Sequence, residues 1–243
     1  MKIKKFTYII IQKFKKFIEL FFPGYFSENR RAIKKIINDR EISINTIYDI
    51  GCFIGGWLEE RKKTFPEAKM FYLFDAENLI SQKILNDKTR FFHVVLGSDD
   101  GKKVNFWKNG RGGSSYFKEI GNTLWDDIEP EILTTVSLNS LIKEKNLELP
   151  NYIKIDTQSS EIEILKGLKE LINNETLYFI ELEMSLYQIN EEAPLIGEVI
   201  DFMSQNNFVL ISVEQLPIVE YFNEKKLAQV NGVFAQRRLI STN

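Results

Sequence analysis

The residues best placed to do chemistry are a pair of glycines and a set of acids that stand where apolar runs stop. Gly51 and Gly55 follow the apolar stretch Ile47-Tyr48-Asp49-Ile50, and Asp75 closes Met70-Phe71-Tyr72-Leu73-Phe74. A strand that runs into a glycine turn and then a helix brings backbone N–H groups close to a ligand, with the amide-rich helix start at Gly56-Trp57 behind them. An acid that ends the next strand sits beside the ribose hydroxyls of a nucleoside held in that turn, which makes Asp75 the expected ribose ligand. Glu77 is its alternative if the register shifts. Tight packing alone is the competing explanation of the glycines, and a solvated strand end that of the acid. Asp156 after residues 152–155 and Glu183 after residues 177–182 repeat the pattern of an acid at a strand end. His93 is the only histidine and Cys52 the only cysteine, so acid–base work that His93 does not perform falls to Asp, Glu, Tyr or Lys.

The spacing of the turn narrows the nucleoside. Gly51 and Gly55 fit G-x-x-x-G, whereas a dinucleotide fingerprint would need glycine where Phe53 stands. No Lys-Ser or Lys-Thr follows, so a phosphate loop lacks its cation. S-adenosylmethionine remains as the expected cofactor, because it needs backbone contacts at its amino-acid end and an acid at its ribose.

The elements that must position these groups follow from hydrophobic pattern. Residues 27–40 suit a helix, 46–50 a strand, 57–64 a helix, 70–74 a strand, 79–85 a helix and 91–96 a strand. Residues 103–107 start a hairpin whose far side is the loop Asn109 to Ser115, where Arg111, Ser114 and Ser115 could close over a substrate. A strand at 134–138 leads to a helix ending at 145. A strand at 152–156 is followed by a helix at 161–172 with Ser159 and Ser160 as caps, then come a strand at 177–182, a helix at 194–206, and strands at 208–213 and 232–236 that can pair antiparallel. Strand–helix alternation implies an α/β fold, a largely parallel sheet with ligands at the strands' C-terminal ends.

A formal charge of −2 gives no general attraction to nucleic acid, which is excluded as a partner. One cysteine cannot form an intramolecular disulfide, and a reducing, cytoplasmic location fits. Residues 2–22 differ from the rest, with six lysines against one glutamate and apolar residues at helical spacing. They read as a basic amphipathic helix that either packs on the domain or makes peripheral contact with the inner face of a membrane. Their longest apolar run is far below the ~20 residues a membrane span needs. Pro23-Gly24 ends the segment, giving an extension at 1–24 and one domain at 25–243.

Several ordered motifs together resemble the FkbM-type family of S-adenosylmethionine-dependent methyltransferases: Y-D-I-G-C-F-I-G-G at 48–56, F-D-A at 74–76, L-G-S-D-D-G at 96–101, G-G-S-S at 112–115, I-K-I-D-T-Q-S-S-E-I-E-I-L-K-G at 153–167, L-E-M-S-L-Y at 182–187 and N-G-V-F-A at 231–235. The resemblance implies a class I methyltransferase, Rossmann-like, with a seven-stranded, mostly parallel sheet, an antiparallel edge strand and helices on both faces. It implies methyl transfer to a hydroxyl of a carbohydrate or other small-molecule acceptor. Asp49, Gly51, Gly55, Asp75, Leu96 and Gly97 then become cofactor contacts. Arg111, Ser114, Ser115, Gln158, Glu161 and Tyr187 become acceptor contacts.

For catalysis the resemblance puts Asp156 first as base or acceptor orienter, Glu183 second and His93 third. Asp156 acting only as a helix cap is the plainer alternative. The paired acids could instead hold a divalent metal, although none is expected. The family usually has Ala-Asn where Cys52-Phe53 stand, Glu-Pro where Asp75-Ala76 stand, and glycine where Ser159 stands. Asp75 keeps the acid, Phe53 loses a polar contact, and Ser159 alters the rim. A methyltransferase-like module without turnover, or a nucleotide-sugar or NAD enzyme, are the alternatives.

Overall fold

A computed structural model describes residues 27–108, 110, 112–120, 128–216, 219–221 and 224–241. The expected extension at 1–24 lies outside the described residues, as does Arg111.

The first helix, α1 (Glu28–Arg40), starts where the Ser27 side chain accepts a hydrogen bond from Arg30 N, and it turns Ile33 into the core. Strand β1 (Thr46–Ile50) leads through the glycine turn into α2 (Gly56–Thr64), and β2 (Met70–Asp75) and β3 (Thr89–His93) follow. Then come β4 (Val95–Gly97), β5 (Lys103–Phe106), β6 (Glu131–Ser137), α3 (Leu138–Lys145), β7 (Tyr152–Ile155), α4 (Glu161–Lys166), β8 (Phe179–Ser185) and α5 (Ile196–Gln205). The chain closes with β9 (Phe208–Gln215), a small ribbon of β10 (Val219–Tyr221) and β11 (Glu224–Lys226), β12 (Gln229–Gln236) and α6 (Arg237–Ile240).

The central sheet has seven strands in the order β3-β2-β1-β7-β8-β12-β9. Strands β3, β2, β1, β7 and β8 pair in parallel, and at the far edge β12 runs antiparallel to both β8 and β9. The order reverses between β1 and β7, which opens a crevice at their C-terminal ends. Two apolar clusters cover the faces. One gathers Tyr48, Phe74, Ile153 and Leu182 under α3, α4 and α5, and the other gathers Ile47, Leu73, Tyr152 and Phe179 under α1, α2 and α6.

Four expectations need correction. The helix at 79–85 is only a 3-10 turn, Gln82–Ile84, where the Ser81 side chain accepts from Lys83 N and starts the turn late. Residues 91–96 do not form one strand: β3 pairs with β2 while β4 joins β5 and β6 in a separate three-stranded sheet. The partner of β5 is β6, although Trp107 and Ser115 do exchange two backbone hydrogen bonds across the loop. The helix at 161–172 breaks into α4 and a 3-10 segment, Lys169–Asn173, because Gly167 presses against the Gly97 carbonyl, 2.1 Å from where a Cβ would stand.

Candidate active site

The glycine turn is built by backbone constraint. Gly51 has φ +76, and a Cβ there would lie 1.8 Å from the Asp156 carbonyl oxygen, so only glycine lets β1 and the β7 rim meet. Phe53 also takes a left-handed φ of 49, which aims its N–H at Asp75 Oδ2 at 2.7 Å. Glu77 N donates to the other Asp75 oxygen at 2.8 Å. Burial pushes the Asp75 carboxyl up from its ordinary value, and these two N–H donors work against that rise. Each oxygen keeps an acceptor site for a ligand hydroxyl.

A cavity of about 570 Å³, counted to its open mouth, runs past this acid. One end is apolar, formed by Phe74, Val94, Val95, Leu96, Phe106, Tyr116 and Ile164. Asp75 and Glu77 stand at the middle, and Gly51, Asp156, Thr157 and Gln158 form the polar end. Gly112 and Ser114 roof it. The roof is tied to both sides, with the Ser114 hydroxyl bonded to Glu77 and the Ser115 hydroxyl donating to Gln158 O. Among the described residues the lining carries three carboxylates and neither lysine nor arginine.

At the polar end, Asp156 accepts from Lys154 Nζ at 3.0 Å and from Gln158 Nε2 at 3.2 Å. Gln158 Nε2 also reaches Glu183 Oε2 at 3.5 Å, so one amide bridges the Asp156 and Glu183 carboxyls. Burial opposes the Asp156 charge, yet Lys154 and the hydrogen bonds around it win and hold its carboxyl below the usual range. Burial and the neighbouring Asp156 charge drive Glu183 well above that range. Burial also raises Asp49, to about 6, against the pull of Lys154.

Asp156 does not cap the helix behind it. Glu161, the first residue of α4, instead holds the loop before the helix, its Oε1 accepting from Thr157 N at 2.9 Å and Ser159 N at 3.2 Å. Ser160 occupies the N-cap position of α4 without a side-chain cap bond. Gln158 and Ser159, at φ 53 and 85, pay in backbone strain for this tight rim.

The sequence-derived candidates thus separate by position. Gly51, Asp75, Leu96, Ser114, Asp156 and Gln158 line the cavity, and Glu183 joins it through Gln158. Glu161 is 2% exposed and bound into the backbone, which turns it away from any acceptor. Ser115 is fully buried and serves the roof. Gly97 packs on Thr135 and Gly55 on Ile84, so both shape the walls from behind. Asp49 lies one turn of the pleat below Gly51, with its carboxylate 3.7 Å from Lys154. His93 is exposed, its Nε2 3.0 Å from Ala76 O, in a separate depression with Lys108. Tyr187 is exposed after β8. Among the described residues no three His, Cys, Asp or Glu side chains cluster as metal ligands.

Sequence reading missed Lys154, Glu181 and Arg61. Their signal was there: a lysine and a glutamate inside the apolar runs of β7 and β8.

The cavity's donor set fits S-adenosylmethionine: an apolar end for a purine, acids for a diol, and further carboxylate for a cationic end. Among solved structures, the chain is similar to an FkbM methyltransferase from Methylobacillus flagellatus KT, at 13% identity over 78% of this chain and 43% of that one, with a TM-score of 0.44. The chain spans less than half the length of that protein. It is also similar to magnesium protoporphyrin IX methyltransferase from Synechocystis PCC 6803, in a structure with bound SAM, at 9% identity over 88% and 80% of the two chains and a TM-score of 0.45. A precorrin-6y C5,15-methyltransferase from Geobacter metallireducens GS-15 gives 9% identity over 83% and 85%, with a TM-score of 0.45. No curated protein matches in sequence. Residues 62–210 match the family described as the Methyltransferase FkbM domain, a stretch that takes in Asp75, Asp156 and Glu183 and more than half of the chain, and the protein belongs to that family of methyltransferases.

Proposed function

We propose that the protein transfers a methyl group from S-adenosylmethionine to a hydroxyl of a carbohydrate or other small-molecule acceptor. The observation that carries this reading is the charge of the cavity: three carboxylates and, among the described residues, no cation. Such a lining repels the pyrophosphate of a dinucleotide or nucleotide sugar and favours a ligand that carries positive charge. When bound, S-adenosylmethionine supplies an electrophilic methyl group on a positively charged sulfur. Asp75 would hold the ribose diol, the Gly51 turn the amino-acid end, and the apolar end the purine.

An alcohol is neutral near pH 7, so attack on the methyl carbon is helped by a base that removes its proton as the new O–C bond forms and the S–C bond breaks. Asp156 lines the cavity for that task, and Glu183 is linked to it through the Gln158 amide. The extension at 1–24 is proposed either to pack on the domain or to contact a membrane surface; its deletion should aggregate the domain in the first case and abolish liposome binding in the second. No helix among the described residues is long and apolar enough to cross a membrane.

Calorimetric titration of S-adenosylmethionine and S-adenosylhomocysteine, with NAD as control, tests the cofactor. Micromolar binding is expected, and Asp75→Ala should weaken it by about 10- to 100-fold, the worth of one charge-assisted hydrogen bond. Binding of NAD instead would point to a dinucleotide enzyme. A methyl-transfer screen against glycans and small hydroxylated metabolites then tests the acceptor, and cofactor binding without transfer would point to a module that has lost turnover.

A further inference from the structure

We propose that Lys154 is a positioning residue that fixes Asp156 as the standing anion of the acid pair and leaves Glu183 as the member that releases and takes the proton. This rests on the methyl-transfer reading, since it assigns the proton of the same pair.

The argument is geometric. Asp49 on β1, Lys154 on β7 and Glu181 on β8 face one another in register across three adjacent strands. The Lys154 ammonium cannot turn to water, because the residue is 7% exposed and Nζ lies 3.0 Å from Asp156 Oδ2 and 3.7 Å from Asp49 Oδ1. Glu181 is already neutralised: Arg61 Nη2 from α2 donates to it at 2.9 Å, and the Tyr152 hydroxyl donates as well. The hydrogen bond from Lys154 therefore goes to Asp156.

Glu183 sits two residues beyond Glu181 and has a different set of neighbours. Among the described residues no cation lies within ion-pair distance of it; it meets the Asp156 carboxyl and the Gln158 amide. The charged groups around it are Asp156 and Lys154 from β7 and Glu161 from α4, while Asp49 on β1, Asp75 on β2 and Arg61 on α2 stand farther along the network. Two touching carboxyls beside one ammonium hold one negative charge readily and a second only at a cost, and the ammonium selects which oxygen keeps the first. When Glu183 is ionised, the acceptor's proton can pass to it as the O–C bond forms and the S–C bond breaks. Asp156, held anionic by Lys154, contributes orientation and negative charge.

The test is a carboxyl-carbon NMR titration of the purified chain between about pH 4 and 9, around the ordinary carboxylate range, with resonances assigned through Asp156→Asn and Glu183→Gln. Asp156 is expected to stay ionised throughout while Glu183 titrates above ordinary carboxylates. In Lys154→Met the Asp156 midpoint should rise into the titrated range, above about pH 4, and Lys154→Arg should return it below that range. An Asp156 that stays ionised throughout in a folded Lys154→Met variant would overturn the proposal. If that variant does not fold, the wild-type chain decides: an Asp156 that titrates above Glu183 overturns the proposal, and the opposite order supports it. Titration of S-adenosylhomocysteine into the same sample keeps the two readings apart, since a chain that binds no cofactor can still show the proton on Glu183.

Discussion

The two faces of the central sheet are made from the same strands and do different work. Toward α3, α4 and α5 the strands present Tyr48, Ile50, Tyr72, Phe74, Ile153, Ile155, Ile180 and Leu182, a hydrocarbon surface whose burial drives folding. Toward α2 the alternate positions present Asp49, Lys154 and Glu181 in one row, capped by Arg61, whose guanidinium also lies 4.3 Å from the Trp57 ring. Side chains two apart share a face, so Lys154 leads to Asp156 and Glu181 to Glu183 at the rim. Both faces thus supply cohesion, and the second also carries buried charge from the interior to the rim of the cavity.

The largest break in this comparison should come from Arg61→Met. It strands Glu181 without its cation and should cost about 3–5 kcal/mol in chemical denaturation. The double variant Arg61→Met with Glu181→Met should recover most of that loss, because burying no charge is often as favourable as burying a pair. A double variant as unstable as the single one would mean that Arg61 acts by packing alone.

A second effect is pH-dependent and comes from buried acids on both sides of the sheet, Glu161 at the start of α4 and Asp49 on β1. Burial raises Glu161 to about 7, so its carboxyl is better protonated folded than unfolded. Its contribution to stability is present at low pH and is lost as pH rises through about 7. Unfolding free energy should therefore increase by roughly 1–2 kcal/mol between pH 8 and 6 from this group, and Asp49, raised to about 6, adds in the same direction. Glu161→Gln should flatten that slope while keeping an acceptor for the Thr157 and Ser159 N–H groups. The smallest effect belongs to the hydrocarbon face: Ile180→Val should cost about 1 kcal/mol at any pH, by lost packing.

The hydrocarbon face was also the more legible one. Apolar runs placed β1, β2 and β7 within a residue of their observed ends, since a strand buried on both faces reads as a near-continuous apolar run. What failed was set by contacts distant in sequence. No local pattern says that Gly167 must clear the Gly97 carbonyl, and so the break after α4 went unseen. Nor does any local pattern pair Lys154 with Asp49 and Glu181, which is a matter of strand register. Of the candidate residues, motifs that end in acids led to Asp75 and Asp156 on the cavity wall and to Glu183 beside them, whereas no local pattern shows that the polar side chains of Glu161 and Ser115 are taken up by the backbone around them.

The contact between Gly51 and the Asp156 carbonyl has a consequence for what residue 51 can be. With 1.8 Å left for a Cβ, residue 51 has no second choice that leaves the rim in place. Any side chain at residue 51 therefore displaces the glycine turn and the Asp156 rim together, whatever the loops over the cavity contain.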